Sequence, residues 1–228
     1  IDAGSTDACG IATTTIDKST FTCADVGPNT ITLTVTDVNG NVSTCTTVVT
    51  VEDNVAPVAN CAAPFTIQLD ATGNASITVG DIDAGSTDAC GIATTTIDKS
   101  TFTCADVGPN TITLTVTDVN GNVSTCTTVV TVEDNVAPVA NCAAPFTIQL
   151  DATGNASITV GDIDAGSTDA CGIATTTIDK STFTCADVGP NTITLTVTDV
   201  NGNVSTCTTV VTVEDNVAPI ANCAAPFT

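Results

Sequence analysis

The sequence has no histidine, arginine, methionine, tryptophan or tyrosine, and only six phenylalanines among its 228 residues. Each absence removes a class of chemistry. Without histidine there is no imidazole general base, no Ser-His-Asp or Cys-His constellation and no His-bearing metal centre. Basic charge amounts to three lysines against 25 acidic residues, a formal net charge of −22. Nothing in that inventory neutralises phosphates, so nucleic acid and anionic membrane surfaces are poor partners. No stretch of 18 apolar residues is present, so direct membrane insertion is not expected. No nucleophile–base pair can be built, and the chain reads as a non-enzyme. It also lacks an initiator methionine and a signal peptide, and is read as a slice of a longer protein.

What is there repeats. Ile1-Asp2-Ala3-Gly4-Ser5-Thr6-Asp7-Ala8-Cys9 recurs at Ile82 and again at Ile163, a period of 81 residues. The copies match residue for residue, except that Ile220 stands where Val58 and Val139 stand. That period is too long for a solenoid coil and suits one small β-sandwich, so a tandem array of whole domains is expected. The divisions would be 1–55 (a partial repeat lacking its first strands), 56–136, 137–217, and 218–228 as the first strand of a further repeat.

Within the repeat 56–136, Cys61, Ala63, Phe65, Ile67 and Leu69 alternate with polar or small residues, the mark of a strand with one buried face. Pro64 places it at a sheet edge, because proline cannot donate to a ladder. A second strand puts Ala75, Ile77 and Val79 inward. Residues 91–102 are loosely patterned and take one or two strands. Ile112, Leu114 and Val116 alternate with threonines in the clearest strand of all. Asp118-Val119-Asn120-Gly121-Asn122 carries a hairpin signal. The last strand sets Cys126, Val130 and Val132 on one face. Short strands, close turns and no helical period define an all-β immunoglobulin-like sandwich.

Twelve cysteines, four per period, read as disulfides of an oxidising, extracellular compartment. Zinc competes, but spacings of 29, 14 and 22 residues from Cys61 through Cys90 and Cys104 to Cys126 contain no C-x-x-C pair. Four cysteines allow three connectivities. The first and last strands of such sandwiches run side by side, which pairs Cys61 with Cys126 and leaves Cys90 with Cys104. The other copies follow: Cys142 with Cys207, Cys171 with Cys185, and Cys9 with Cys23. Chain entropy gives ~4 kcal/mol for the long loop and ~3 kcal/mol for the short one. Cys45 and Cys223 are left without partners.

Acidic and amide side chains gather in loops that the topology delivers to one pole. The exit residues Glu52, Asp53, Asn54 and Glu133, Asp134, Asn135 would meet Asp81, Asp83, Asp118, Asn120 or Asp162, Asp164, Asp199, Asn201 of the following repeat. Oxygen donors with no protein cation suit Ca2+ at the junctions, and suit it better than magnesium. The competing reading is that these are ordinary turn residues on a solubilising surface. N-V-S at Asn41, Asn122 and Asn203 and N-A-S at Asn74 and Asn155 fit the glycosylation sequon, but read first as turns. Lys18, Lys99 and Lys180 read as solvated, and the short threonine runs are too sparse for an ice-binding array.

The strings P-x-x-x-C at Pro57–Cys61, D-A-C-G-I at Asp88–Ile92, F-T-C-A-D-V-G at Phe102–Gly108 and T-L-T-V-T-D-V-N-G-N-V-S-T-C at Thr113–Cys126 resemble hyalin-repeat (HYR-like) modules. The likeness is to the arrays in giant surface proteins of gliding and marine Bacteroidetes, and it covers the whole period in every copy. It implies an immunoglobulin-like fold, export to the cell surface and a role in adhesion or as a spacer. The closing V-E-D-N-x-A-P, carried by Glu133, Asp134, Asn135 and Pro138, is also similar to the calcium linker of cadherins, with fewer acids. The functional expectation is an extracellular structural stalk whose partners are neighbouring repeats and other copies of the chain. The alternative is a subunit of a self-assembling filament or sheath that exchanges edge strands.

Overall fold

The computed structural model describes residues 1–224, so the part of the expected further strand that falls on 225–228 lies outside the described residues. The repeat 137–217 shows the architecture most fully. After the exit of the preceding copy come β10 (Phe146–Gln149), β11 (Asn155–Ser157), the single turn α2 (Val160–Ile163), β12 (Ile173–Ile178), β13 (Thr182–Thr184), β14 (Gly189–Asp199) and β15 (Val204–Glu214). The previous copy supplies β4 (Phe65–Gln68), β5 (Asn74–Ser76), α1 (Val79–Ile82), β6 (Ile92–Ile97), β7 (Thr101–Thr103), β8 (Gly108–Asp118) and β9 (Val123–Glu133) in the same order. The first copy contributes β1 (Ile11–Ile16), β2 (Gly27–Asp37) and β3 (Val42–Val51).

In the repeat 137–217 two sheets share one buried core. The larger has the order β10-β15-β14-β12, and the smaller pairs β11 with β13. β10 runs parallel to β15 with Phe146 opposite Val211 and Gln149 opposite Glu214, while the other pairs are antiparallel. Pro64 and its copy therefore precede an edge strand, where the missing N–H costs nothing. Period-2 alternation along β14 sends Ile193, Leu195 and Val197 into the core, where each is fully buried. There they meet Phe183 from the small sheet, Ile163 from α2, and Val211 and Val213 from β15. These are tandem immunoglobulin-like β-sandwiches with an 81-residue repeat, in which strands are the dominant regular structure.

One local expectation is revised and another is made definite. Val79 does not continue a strand but opens α1, because Thr78 and Asp81 form a capping box that starts a helical turn. Donation from the Thr78 N–H to Asp81 Oδ2 at 2.6 Å fixes it. The loosely patterned 91–102 resolves into β6 and β7, separated by a short turn.

The chain forms two compact units. One comprises Ile1–Pro64, Ile77–Ser100 and Thr111–Val129, and the other Phe65–Ser76, Thr101–Asn110 and the chain from Val130 onward. The first contains the disulfides Cys23–Cys90 and Cys61–Cys126, the second Cys104–Cys171 and Cys142–Cys207.

Candidate functional site: bridged acidic junctions

Cysteine connectivity is the first feature of the site. Cys61 joins Cys126 and Cys142 joins Cys207, with Cα atoms 5.8 Å apart in both. The remaining pairs depart from expectation. Cys90 is bonded not to Cys104 but to Cys23 of the preceding copy, and Cys104 is bonded to Cys171 of the following one, each with a Cα separation of 5.1 Å. Cys9 and Cys185, expected to pair with Cys23 and Cys171, are free and exposed, as are Cys45 and Cys223. The correction follows from β8. Cys104 leads into the start of this eleven-residue strand, whereas Cys90 lies by its end, where the Val119 N–H donates to the Gly91 carbonyl. At about 3.3 Å per residue the strand is roughly 36 Å long from end to end, far more than the Cα limit of about 7 Å for a disulfide.

A tight turn makes room for the bridge. Asp70 Oδ1 accepts from the Thr72 and Asn74 N–H groups, and Gly73 takes φ +75°. A Cβ on Gly73 would stand 2.6 Å from Cys104 Sγ, 3.4 Å from Ala170 Cβ and 3.6 Å from Cys171 Sγ. Glycine is thus required twice, for the left-handed backbone and for the approach of the sulfurs.

Beside each inter-repeat bridge sits a carboxylate pair. Asp53, Asp88 and Cys90 place donor atoms within 4.8 Å of one another, and Asp134, Asp169 and Cys171 repeat the arrangement. The sulfurs are committed to disulfides, so the carboxylates are the available ligands. Asp88 Oδ1 accepts from the Cys90 and Gly91 N–H groups at 2.7 and 2.9 Å, and Asp169 does the same for Cys171 and Gly172. Asp134 is only 6% exposed; its Oδ1 accepts from the Val136 N–H, and its buried Oδ2 has no hydrogen-bond partner. Asp53 Oδ2 is likewise buried and unpartnered. The hairpin of the following copy closes over the spot: Asn203 Nδ2 donates to the Asp134 carbonyl, and Asn122 Nδ2 to that of Asp53, both at 3.0 Å.

Of the residues expected at the junctions, only Asp53 and Asp134 reach this pair. Glu133 Oε2 instead accepts from Gln68 Nε2 at 2.8 Å, and Asn135 donates to Gln68 Oε1, so both brace β4 against β9. Glu52 Oε2 accepts from Asn54 Nδ2. Asp81 and Asp162 cap α1 and α2. Asp83 and Asp164 hold Ser86 and Ser167 through N–H and hydroxyl donors at 2.8 Å. Asp118 and Asp199, nearly fully buried, accept from the N–H groups of Asn120 and Asn122 or of Asn201 and Asn203, with the amide of Asn122 or Asn203 closing the turn. Burial would raise the Asp118 carboxyl, but the Asn122 side chain and the backbone donors outweigh it and hold it below 3.8.

Asp88 and Asp169 are not among the ligands expected from the sequence, although Asp88 stands with the other acidic loop residues there. Their signal was visible, an aspartate two residues before each bridging cysteine, but it matches an ordinary Asx turn. Lys180, read as solvated, pairs with Asp187 at 2.5 Å and lies 5.0 Å from the Phe183 ring centroid.

As a metal site the junction supplies two carboxylates, one with an orphaned buried oxygen. That suits a hard cation that completes a six-to-eight-oxygen shell with carbonyls and water. Among the described residues no helix is long and apolar enough to cross a membrane.

No protein-family model and no curated protein sequence matches the chain. Solved structures with similar arrangements include cadherin domains 1–4 of protocadherin gamma B7, at 12% identity and TM-score 0.36, covering 85% of this chain and 59% of that one. The I67–I69 I-band fragment of titin gives 10% identity and TM-score 0.39, covering 82% and 75%. Human mucin-like protocadherin EC1–2 gives 15% and 0.37, covering 69% and 100%. The chain spans about three fifths of the first fragment's length. Likenesses of this size carry no argument about the chain's activity.

Proposed function

We propose that this chain is an extracellular structural stalk: consecutive immunoglobulin-like beads, each cross-linked internally and tied to the next, that hold an adhesive element away from a surface. The observation that carries the reading is the pair of bridges Cys23–Cys90 and Cys104–Cys171, which join one copy to its neighbour. An enzyme or a recognition module has no use for a covalent tie repeated at every period, whereas a spacer gains from each one. Disulfides at this density belong to an oxidising compartment. Export to the cell surface and the HYR-like kinship rest on the motifs of the sequence.

Calcium is the second component. Asp53 with Asp88, and Asp134 with Asp169, would hold it, and the site would be of the weak class common in extracellular modules, with a Kd on the order of 10⁻⁴–10⁻³ M. The bound ion offsets repulsion between carboxylates at each junction and stiffens it. Calorimetric titration of the intact chain with calcium, then with magnesium, tests this. Saturable calcium binding that weakens in Asp134→Asn and Asp53→Asn supports the ion; no heat above dilution removes it from the account. The stalk itself is tested by light scattering and small-angle scattering: a monomer lengthening by ~40 Å per repeat is expected, from roughly twelve residues of rise. Large species would instead favour the filament.

A further inference from the structure

The covalent map carries more than stiffness. Cys61–Cys126 closes 65 residues into a loop whose ends are 5.8 Å apart, and Cys142–Cys207 closes the next 65 in the same way. Between Cys126 and Cys142 only fifteen residues, sixteen steps of backbone, remain. Counting these two bridges alone, tension applied along the chain crosses a repeat through its bridge and the short connector, and the rest of the closed loop stays slack.

We propose that the disulfide network is an extension limiter that makes the chain a load-bearing tether, a function beyond that of a passive spacer. At about 3.3–3.6 Å per extended residue, an unbridged 81-residue period can be drawn out to roughly 280 Å. With its bridge in place the same period stops at roughly 60 Å, the connector plus one disulfide crossing. The limit holds even when every hydrogen bond of the sandwich has failed. The parallel pairing of β4 with β9, Phe65 opposite Val130 and Gln68 opposite Glu133, lies beside the load path rather than on it, since the bridge at Cys126 hands tension directly to β9.

The bridges between copies add a second route. Cys104 lies inside one closed loop and Cys171 inside the next, so their bond links the two loops independently of the connector. A backbone cut between Cys126 and Cys142 leaves the neighbours joined through the 22 residues from Cys104 to Cys126 and the 29 from Cys142 to Cys171. The tether thus has both a stop and a backup.

Force spectroscopy on the full chain, held by non-cysteine tags at its two ends, tests the proposal. Under oxidising conditions the fully stretched chain is expected to be shorter than after reduction by roughly 450 Å, the slack of the two closed loops with a small share from Cys23–Cys90. Contour length does not depend on whether the reduced chain refolds, so loss of the fold on reduction does not blur the result. The same subtraction in a Cys104→Ala/Cys171→Ala variant is expected to remain near that value, because the stop belongs to Cys61–Cys126 and Cys142–Cys207. Equal lengths before and after reduction, in material whose free-thiol count shows the bridges formed, overturn the proposal. Calcium titration is a separate readout, so failure of the ion leaves the limiter untouched and the reverse also holds.

Discussion

Two chemically identical glycines sit in the same turn of successive copies and should respond differently to the same substitution. Gly73 and Gly154 have φ of +75° and +78°, and a Cβ at either would come within 2.6 or 2.7 Å of a cysteine sulfur. For Gly73 that sulfur is Cys104 Sγ, locked to Cys171; for Gly154 it is Cys185 Sγ, a free thiol that can rotate away. Alanine in the left-handed region costs about 1–2 kcal/mol, partly offset by about 0.4–1 kcal/mol from the stiffer unfolded chain. Gly154→Ala should therefore destabilise by about 1 kcal/mol. Gly73→Ala carries the same backbone term plus the displacement of a bonded sulfur, an overpacking cost of about 1–3 kcal/mol, for a total of about 2–4 kcal/mol. Scanning calorimetry of the two variants and the parent resolves the difference, since each kcal/mol moves the Tm of a domain this size by about 4–8 °C. Gly121→Ala, at φ +94° with nothing within 4 Å of its Cβ, reports the backbone term alone. Equal losses at Gly73 and Gly154 would refute the reasoning, because the bonded sulfur and the Ala170 and Cys171 atoms beside it are what separate the two sites.

Leu114→Ala should cost about 2–5 kcal/mol in denaturant melts, since the side chain is fully buried, while Thr111→Ala on the exposed face stays within about 0.5 kcal/mol. Acid should loosen the fold in a defined window. The backbone N–H of Thr78 and that of Ser86 hold the Asp81 and Asp83 carboxyls below their ordinary 3.8, and the Lys180 ammonium does so for Asp187. A depressed folded value means the unfolded chain binds more protons, so the stabilisation is full above pH ~4 and drains away as pH falls through the folded values. Melting temperature measured from pH 6 down to pH 2 should be flat first and then fall; a rise on acidification contradicts these assignments.

The sandwich was legible because its rules are local. Ile112, Leu114 and Val116 alternate with threonines, and Asp118–Asn122 turns the chain, so strand, buried face and hairpin all follow from spacing. Pro64 marked the edge correctly. The short α1 escaped because a four-residue turn leaves no periodicity, only the Thr78–Asp81 box that starts it. The bridges escaped for a different reason. Pairing Cys90 with Cys104 assumes that each repeat is chemically closed, and only the run of β8 between them, a distance in space, shows that each must look to a neighbour. The acidic site was half visible for the same reason. The exit aspartates were found, but their partners Asp88 and Asp169 ride on the bridging loops, and the placement of those loops follows from the disulfides.

The most direct test uses the three glutamates in the chain, Glu52, Glu133 and Glu214, one near the end of each period. With Cys9, Cys45, Cys185 and Cys223 blocked, a glutamate-specific protease in denaturant cuts the backbone into 1–52, 53–133, 134–214 and 215–228. Non-reducing electrophoresis should then show the first three pieces migrating as one covalent species that falls apart on reduction, because Cys23–Cys90 and Cys104–Cys171 span the cuts. Separate pieces without reduction would mean that every copy closes on itself, and the cross-linked stalk would lose its foundation.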